Sequence, residues 1–306
     1  MAKHFLTITD VTAAQLQQLV RRAAAFKRNR KLGHRMLSGR TIALVFQKPS
    51  MRTRVAFEVA VLELGGSVVY LGQDDVRAGQ REPFKDVARV LSGYAHGIVA
   101  RTFSHRDAQE LAEYSRVPVI NGLSDEFHPC QAVADLLTIA ERRGRLRGAR
   151  VAYVGDGNNV LHSLAQGCGM LGVDLSVATP PRYRPERTIW NEAVRLAERS
   201  GATLRWTADP RAAVRGAHII YTDVWVSMGQ ESERAARLKV LRPYQVNGGL
   251  LKAAAPNAAV MHCLPAHRGE EITDELMESR RSLIFRQAEN RLHAHKAILE
   301  LLFRSR

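Results

Sequence analysis

Two hydrophobic periods alternate along the chain. Short apolar runs at 41–46 (TIALVF), 67–71 (SVVYL), 97–101 (GIVAR) and 117–120 (VPVI) have the length and the β-branched content of buried strands. Between them, at about 53–64, 84–95 and 105–115, apolar positions recur every three or four residues and predict helices. The first helix is marked at its start, where Thr12 with Gln15 three residues later forms a capping box ahead of Leu16, Leu19 and Val20. The helix after the first strand is expected to bury Val55, Val59 and Leu62. A helix at about 130–141 ends in ERRGRLRGAR, a charged and glycine-punctuated stretch, and a second strand series follows at 151–154, 173–178, 217–222, 258–262 and 282–286. The last helix, 287–303, is apolar at Ala294, Ala297, Ile298, Leu301 and Leu302. Strands alternating with helices predict an α/β fold of two domains, each a parallel-sheet α/β sandwich, with boundaries at 1–143, 144–286 and 287–306. The length of 306 residues suits two domains.

Composition narrows the class. No stretch approaches the roughly eighteen apolar residues of a membrane span, and the first residues carry neither a signal peptide nor a transit pattern. Cys130, Cys168 and Cys263 are too few and too scattered for a disulfide framework. These features predict a soluble protein of the reducing cytoplasm. Lys and Arg outnumber Asp and Glu by 45 to 30, and the net charge of +15 favours anionic partners. The arginines are dispersed rather than gathered into a tract, so a small anion is expected and a nucleic acid is not.

The segments with chemistry all follow a predicted strand: 50–54, 101, 128–131, 158–159, 223–228 and 262–268. Ligands of open α/β sheets bind beyond the carboxyl ends of the strands, so these six segments are expected to line one cleft between two domains. Ser50-Met51-Arg52-Thr53-Arg54 opens a helix, and free backbone N–H groups, two hydroxyls and two guanidinium groups form a cradle for a phosphate dianion. Gly155-Asp-Gly-Asn-Asn-Val160 lacks the third glycine of a dinucleotide-binding turn, and the next strand ends without a ribose-binding acid, so a nicotinamide cofactor is not expected. The turn instead presents Asn158 or Asn159 as a ligand-binding amide. His128-Pro-Cys-Gln131 and His262-Cys-Leu-Pro265 lack the spacing of a zinc site, and no metal is expected. Cys263 reads equally as a nucleophile, with His128 or His262 as base, and as a buried cysteine lining the pocket. Asp223-Val-Trp-Val-Ser-Met228 joins an acid to an apolar wall, which suits an amine on an aliphatic stem.

Together these segments resemble the aspartate/ornithine carbamoyltransferase family, and its ornithine branch in particular. KHFLTITD, FQKPSMRTR, REPFKDVARVLS, DEFHPCQAVADLLT, GDGNNVLHS, DVWVSMGQE, MHCLPAHRGEEIT and QAENRLHAHKAIL run in the family's order from end to end. The pairing of D-x-W-x-S-M-G with H-C-L-P is the most specific signal. The resemblance implies transfer of a carbamoyl group from carbamoyl phosphate to the δ-amine of L-ornithine, giving L-citrulline and phosphate, without metal or cofactor. It also implies an active site in the cleft between the domains, a final helix packed on the first domain, and a homotrimer or an assembly of trimers. By resemblance Ser50, Met51, Arg52, Thr53, Arg101, His128, Gln131, Cys263, Leu264 and Arg291 meet carbamoyl phosphate. Arg52, Arg101, His128 and Cys263 are the catalytic set, and Asn159, Asp223, Ser227 and Met228 meet ornithine. Two positions depart from the family pattern. Met51 replaces a hydroxyl donor, and Arg77 stands where many members place a glutamine that reaches a neighbouring subunit's carbamoyl phosphate. A carbamoyltransferase of another amine such as putrescine, and a non-catalytic protein that uses the basic charge, are the alternatives.

Overall fold

The computed structural model describes residues 3–76, 82–227 and 231–304. Its contacts divide into two compact units, one of residues 1–137 and 290–306, the other of 138–289.

In the first unit, β1 (Thr41–Phe46), β2 (Ser67–Leu71), β3 (Gly97–Arg101) and β4 (Val119–Leu123) form a parallel sheet in the order β2-β1-β3-β4. The helices α1 (Ala13–Arg28), α2 (Met51–Glu63), α3 (Gln73–Val76), α4 (Phe84–Tyr94), α5 (His105–Tyr114) and α6 (Pro129–Arg143) alternate with these strands. The expected capping box holds: Thr12 Oγ1 accepts from the N–H of Gln15, whose side chain accepts from the N–H of Thr12. The final strand of the unit starts two residues later than its sequence suggested, and a residue from the start of the chain pairs with it. Phe5 bridges to Ile120 and bonds to the backbone on either side.

The buried face of α2 is not the expected one. Thr53, Phe57, Ala60 and Val61 point inward, whereas Val55 is 50% and Leu62 71% exposed. Apolar residues lie on more than one side of this helix, so periodicity allowed two faces, and the aromatic ring at 57 took the core.

In the second unit, β5 (Arg150–Val154), β6 (Asp174–Ala178), β7 (Leu204–Thr207), β8 (Ile219–Thr222) and β9 (Ala259–His262) form a parallel sheet in the order β7-β6-β5-β8-β9. Around it lie α7 (Asn159–Leu171), α8 (Arg187–Ser200), α9 (Pro210–Val214), α10 (Arg234–Leu241), α11 (Gly248–Leu251) and α12 (Asp274–Glu278). β7 (LRWT) is an edge strand interrupted by an arginine, which hid it from the hydrophobic pattern. The expected strand at 282–286 is a single bridge from Ser282 to Val260, after which α13 (Ile284–Phe303) begins. Leu283 and Ile284 are apolar in either conformation, and the helical period that follows prevails. Ala294, Ala297, Ile298 and Leu302 of α13 are buried, and Leu301 is half-buried.

Strand order reverses between β1 and β3 and again between β5 and β8. These are the switch points at which connections leave opposite faces of a sheet and open a crevice at the strands' carboxyl ends.

Candidate functional site

In the first unit the expected residues converge at such a switch point. Ser50 is the N-cap of α2, extended in conformation, with its Oγ accepting from the N–H of Thr53 at 3.3 Å. Met51 and Arg52 therefore occupy the first turn, where backbone N–H groups have no helical partner. The Met51 side chain is exposed and Arg52 half-exposed. Thr53 is buried, and its Oγ1 accepts from Nη2 of Arg291 at 2.7 Å, so the last helix delivers a guanidinium to the start of α2. Arg101 is the terminal residue of β3, in register with Phe46 at the end of β1, and is itself buried. His128 directly precedes α6 and is enclosed. Burial, then Arg291, Arg101 and His295, hold its pKa well below the usual histidine value, so the imidazole is neutral. One turn into α6, Gln131 donates Nε2 to Asp135 at 2.8 Å, which leaves its Oε1 buried without a hydrogen-bond partner. Cys130 is occupied structurally. Its Sγ donates to the carbonyl of Asn121, and burial pushes its pKa up to about 12. Concentrated positive charge, free N–H groups and a neutral imidazole suit a phosphate joined to a carbonyl.

In the second unit the site is built from the ends of β5, β8 and β9, with Asp223 as the pivot. Its Oδ2 accepts from Nδ2 of Asn158 at 2.7 Å and its Oδ1 from Sγ of Cys263 at 2.8 Å. Asn158 is also the N-cap of α7: its Oδ1 accepts from the N–H groups of Val160 and Leu161 and from the Tyr153 hydroxyl. The sequence offered Asn158 and Asn159 alike; Asn158 is joined to Asp223, and Asn159 is the half-buried first residue of α7. A neighbouring ion pair braces the same loop. Buried Arg237 contacts Asp156 at 2.6 Å, and its Nε donates to the carbonyl of Trp225 at 2.6 Å. Burial raises the pKa of Asp156 to about 6 against the pull of Arg237, with Asp223 adding to the rise. Ser227 is half-buried at the end of this loop. Met228 and Arg77, both named from the sequence, lie outside the described residues.

The Cys263–Leu264 segment is held from three sides. His262 Nδ1 accepts from the N–H of Leu264 at 2.9 Å, so Nε2 carries the proton and donates to Glu271 at 3.0 Å. Glu271 also accepts from the N–H of His267. Leu264 itself has φ 61°, a left-handed conformation that a non-glycine residue keeps only when its surroundings enforce it. Asp223, His262 and Cys263 place their ligand atoms within 4.8 Å of one another. Both imidazole nitrogens of His262 are already hydrogen-bonded, so a metal there would have to displace the contacts that shape the loop. Both ring nitrogens of His262 are thus engaged in shaping the loop, and the thiol of Cys263 donates to Oδ1 of Asp223. Sequence reasoning missed Glu271 and Arg237. Arg237 acts through Asp156, 81 residues earlier in the chain, and Glu271 through the imidazole of His262, whose orientation its spacing does not reveal.

One unit with clustered cations at a helix start and a second with a carboxylate, an amide and a thiol around one point suit an α/β transferase that takes an anion and an amine. The family model for the carbamoyl-phosphate binding domain of aspartate/ornithine carbamoyltransferases matches residues 3–141, and that for the Asp/Orn binding domain matches residues 147–302. The chain belongs to the aspartate/ornithine carbamoyltransferase family. It is 50% identical over 302 residues to a Pyrococcus furiosus protein named ornithine carbamoyltransferase, anabolic, covering 98% of this chain and 96% of that one. The solved P. furiosus ornithine carbamoyltransferase superposes with a TM-score of 0.96 at 49% identity, covering 100% of this chain and 98% of that one. The Gloeobacter violaceus enzyme superposes with a TM-score of 0.90 at 48% identity, covering 98% of each chain. No described helix is long and apolar enough to cross a membrane.

Proposed function

We propose that the protein transfers the carbamoyl group of carbamoyl phosphate to the δ-amine of L-ornithine, giving L-citrulline and phosphate, in the anabolic direction of arginine biosynthesis and in the cytoplasm. The observation that carries this reading is the cluster at the start of α2. Thr53, Arg291, Arg101 and a neutral His128 are buried together in the unit that the carbamoyl-phosphate model matches.

The reaction forms a C–N bond, breaks the bond between the carbonyl carbon and a phosphate oxygen, and releases a proton from the amine. Ser50, Met51, Arg52, Thr53 and Arg291 hold the phosphate, with Met51 contributing only its backbone N–H. Arg101 and His128 steady the oxyanion that develops on the carbonyl, and Gln131 meets the carbamoyl amide. A cationic His128 would share a closed pocket with two guanidinium groups, and the neutral ring still donates one hydrogen bond. In the second unit Asp223 binds the α-ammonium of ornithine, with Asn158, Asn159, Ser227 and Met228 around the chain of the substrate. Cys263 and Leu264 face the reacting centre. An alkyl amine of pKa near 10.4 is charged at pH 7, and presenting it neutral costs roughly 4.6 kcal/mol, which enclosure and positioning offset. Carbamoyl phosphate is already activated, so Cys263 forms no covalent intermediate. Incubation with carbamoyl phosphate alone is expected to leave its mass unchanged, and a carbamoylated thiol would refute this.

Residues 1–143 form the carbamoyl-phosphate domain, 144–286 the ornithine domain, and 287–306 return to the first. Assembly is a homotrimer or a multiple of trimers. The exposed stripe of Met51, Val55 and Leu62 on α2, beside half-exposed Val69 on edge strand β2, supports a covered face there. Arg77 would then meet a neighbour's carbamoyl phosphate. The decisive test is a coupled assay of the purified protein with carbamoyl phosphate and a panel of amines. Citrulline formation from ornithine is expected, with carbamoylputrescine from putrescine at most a trace; the reverse ratio would overturn the ornithine assignment.

A further inference from the structure

Arg291 reaches Thr53 from a helix more than two hundred residues away in the chain, so its placement depends on how α13 is registered against α2. Three contacts set that register. Arg291 meets Thr53 at 2.7 Å, the ring of His295 stacks on Phe57 with centroids 3.7 Å apart and planes 10° from parallel, and Lys296 Nζ donates to Glu63 at 3.0 Å. The first two pairs advance by four residues on each helix, about one turn or 6 Å, so the helices run in the same direction along this seam. A slip of one residue on either would break both at once. His295 and Arg291 share one face of α13, one turn apart, and both are fully enclosed. Burial and the Arg291 charge hold His295 uncharged, so its flat ring adds a stacking surface without adding a cation.

We propose that His295 is a positioning residue for carbamoyl phosphate, fixing the guanidinium of Arg291 at the start of α2 through its stack on Phe57. This rests on the carbamoyl-phosphate assignment of the first unit. A side chain with only a structural role would lower stability without selecting one substrate. A positioning role separates the two substrates and vanishes when Arg291 is gone.

The experiment is a double-substitution cycle on the full-length enzyme, reading KM for each substrate, kcat and Tm. His295→Ala is expected to raise KM for carbamoyl phosphate about tenfold and leave KM for ornithine within twofold. His295→Phe, which keeps the flat ring, is expected to restore the first value to within about twofold. In an Arg291→Ala background His295→Ala is expected to change KM for carbamoyl phosphate no further. Equal effects on both substrates, no rescue by phenylalanine, or effects that multiply in the double variant would each overturn the proposal. Should the alanine variant fail to fold, His295→Leu is read the same way. Loss of the effect of Arg291→Ala itself would overturn the carbamoyl-phosphate assignment and the proposal with it, whereas an intact Arg291 effect without the His295 effects would sink only the proposal.

Discussion

At the scale of residues, enclosure sets the charge of the buried histidines, while the proposed phosphate ligand Arg52 stands half-exposed in the first turn of α2. Arg52→Ala is expected to lower turnover by at least about two powers of ten, as loss of a transition-state donor does; steady-state kinetics at saturating substrates would show it, and near-normal turnover would move the phosphate site elsewhere. His128 and His295 are both kept neutral by burial and by Arg291, with pKa values far below 6.5. Below pH 6.5 the unfolded chain takes up their protons while the native state does not, so the unfolded state gains free energy of stabilisation as pH falls. Each group is expected to remove about 1.4 kcal/mol of stability per pH unit until its native pKa is reached. Asp156 has the opposite sign: its native carboxyl protonates at about 6 against an ordinary 3.8, which favours the native state as pH falls through that window. Because the histidines and Asp156 lie in different units, hydrogen exchange of β1 and β3 amides at pH 7.5 and 5 separates them. Protection that does not fall toward acid would contradict the neutral-histidine assignment.

At the scale of elements, the loop after β9 shows how a functional conformation is enforced. Leu264 holds its left-handed backbone because His262 accepts its N–H, and His262 is oriented in turn by Glu271, which is fully buried. Glu271→Ala leaves the Nε2–H of His262 buried without an acceptor and removes the acceptor of the His267 N–H. A loss of about 1–3 kcal/mol is expected from the one buried group, measured as a drop in urea midpoint, together with a rise in KM for ornithine. A variant as stable as the parent would show that the loop holds its shape without this carboxylate. The turn after β5 is enforced sterically. A Cβ at Gly157 would lie 2.4 Å from backbone atoms of Arg184 and Pro185, so only glycine fits where Asn158 turns toward Asp223.

At the scale of the whole molecule, the apolar face that α2 leaves unburied bears on assembly. Leu62 and Met51, each 71% exposed, lie on the helix whose start is the proposed phosphate site. Leu62→Glu is expected to dissociate the proposed trimer to monomers in light scattering, with a matching fall in activity if Arg77 completes a neighbour's site. Unchanged mass would remove this face from the assembly. The pattern along the chain could not foretell which side of α2 faces the core, since Val55, Val59 and Leu62 recur with the same period as Phe57, Ala60 and Val61.

Most strands, the first helix cap and the helix start at Ser50 were legible in the residues themselves, because alternation and capping are local properties that short-range sterics and hydrogen bonding decide. The family was legible in the order of whole motifs. Other features were decided only by the tertiary structure: the bond of Asn158 to Asp223, the brace of Arg237 on Asp156, and the stack of His295 on Phe57. Each joins residues distant in sequence, and whether two such groups meet depends on strand order and helix register, which the packing of the completed sheets sets.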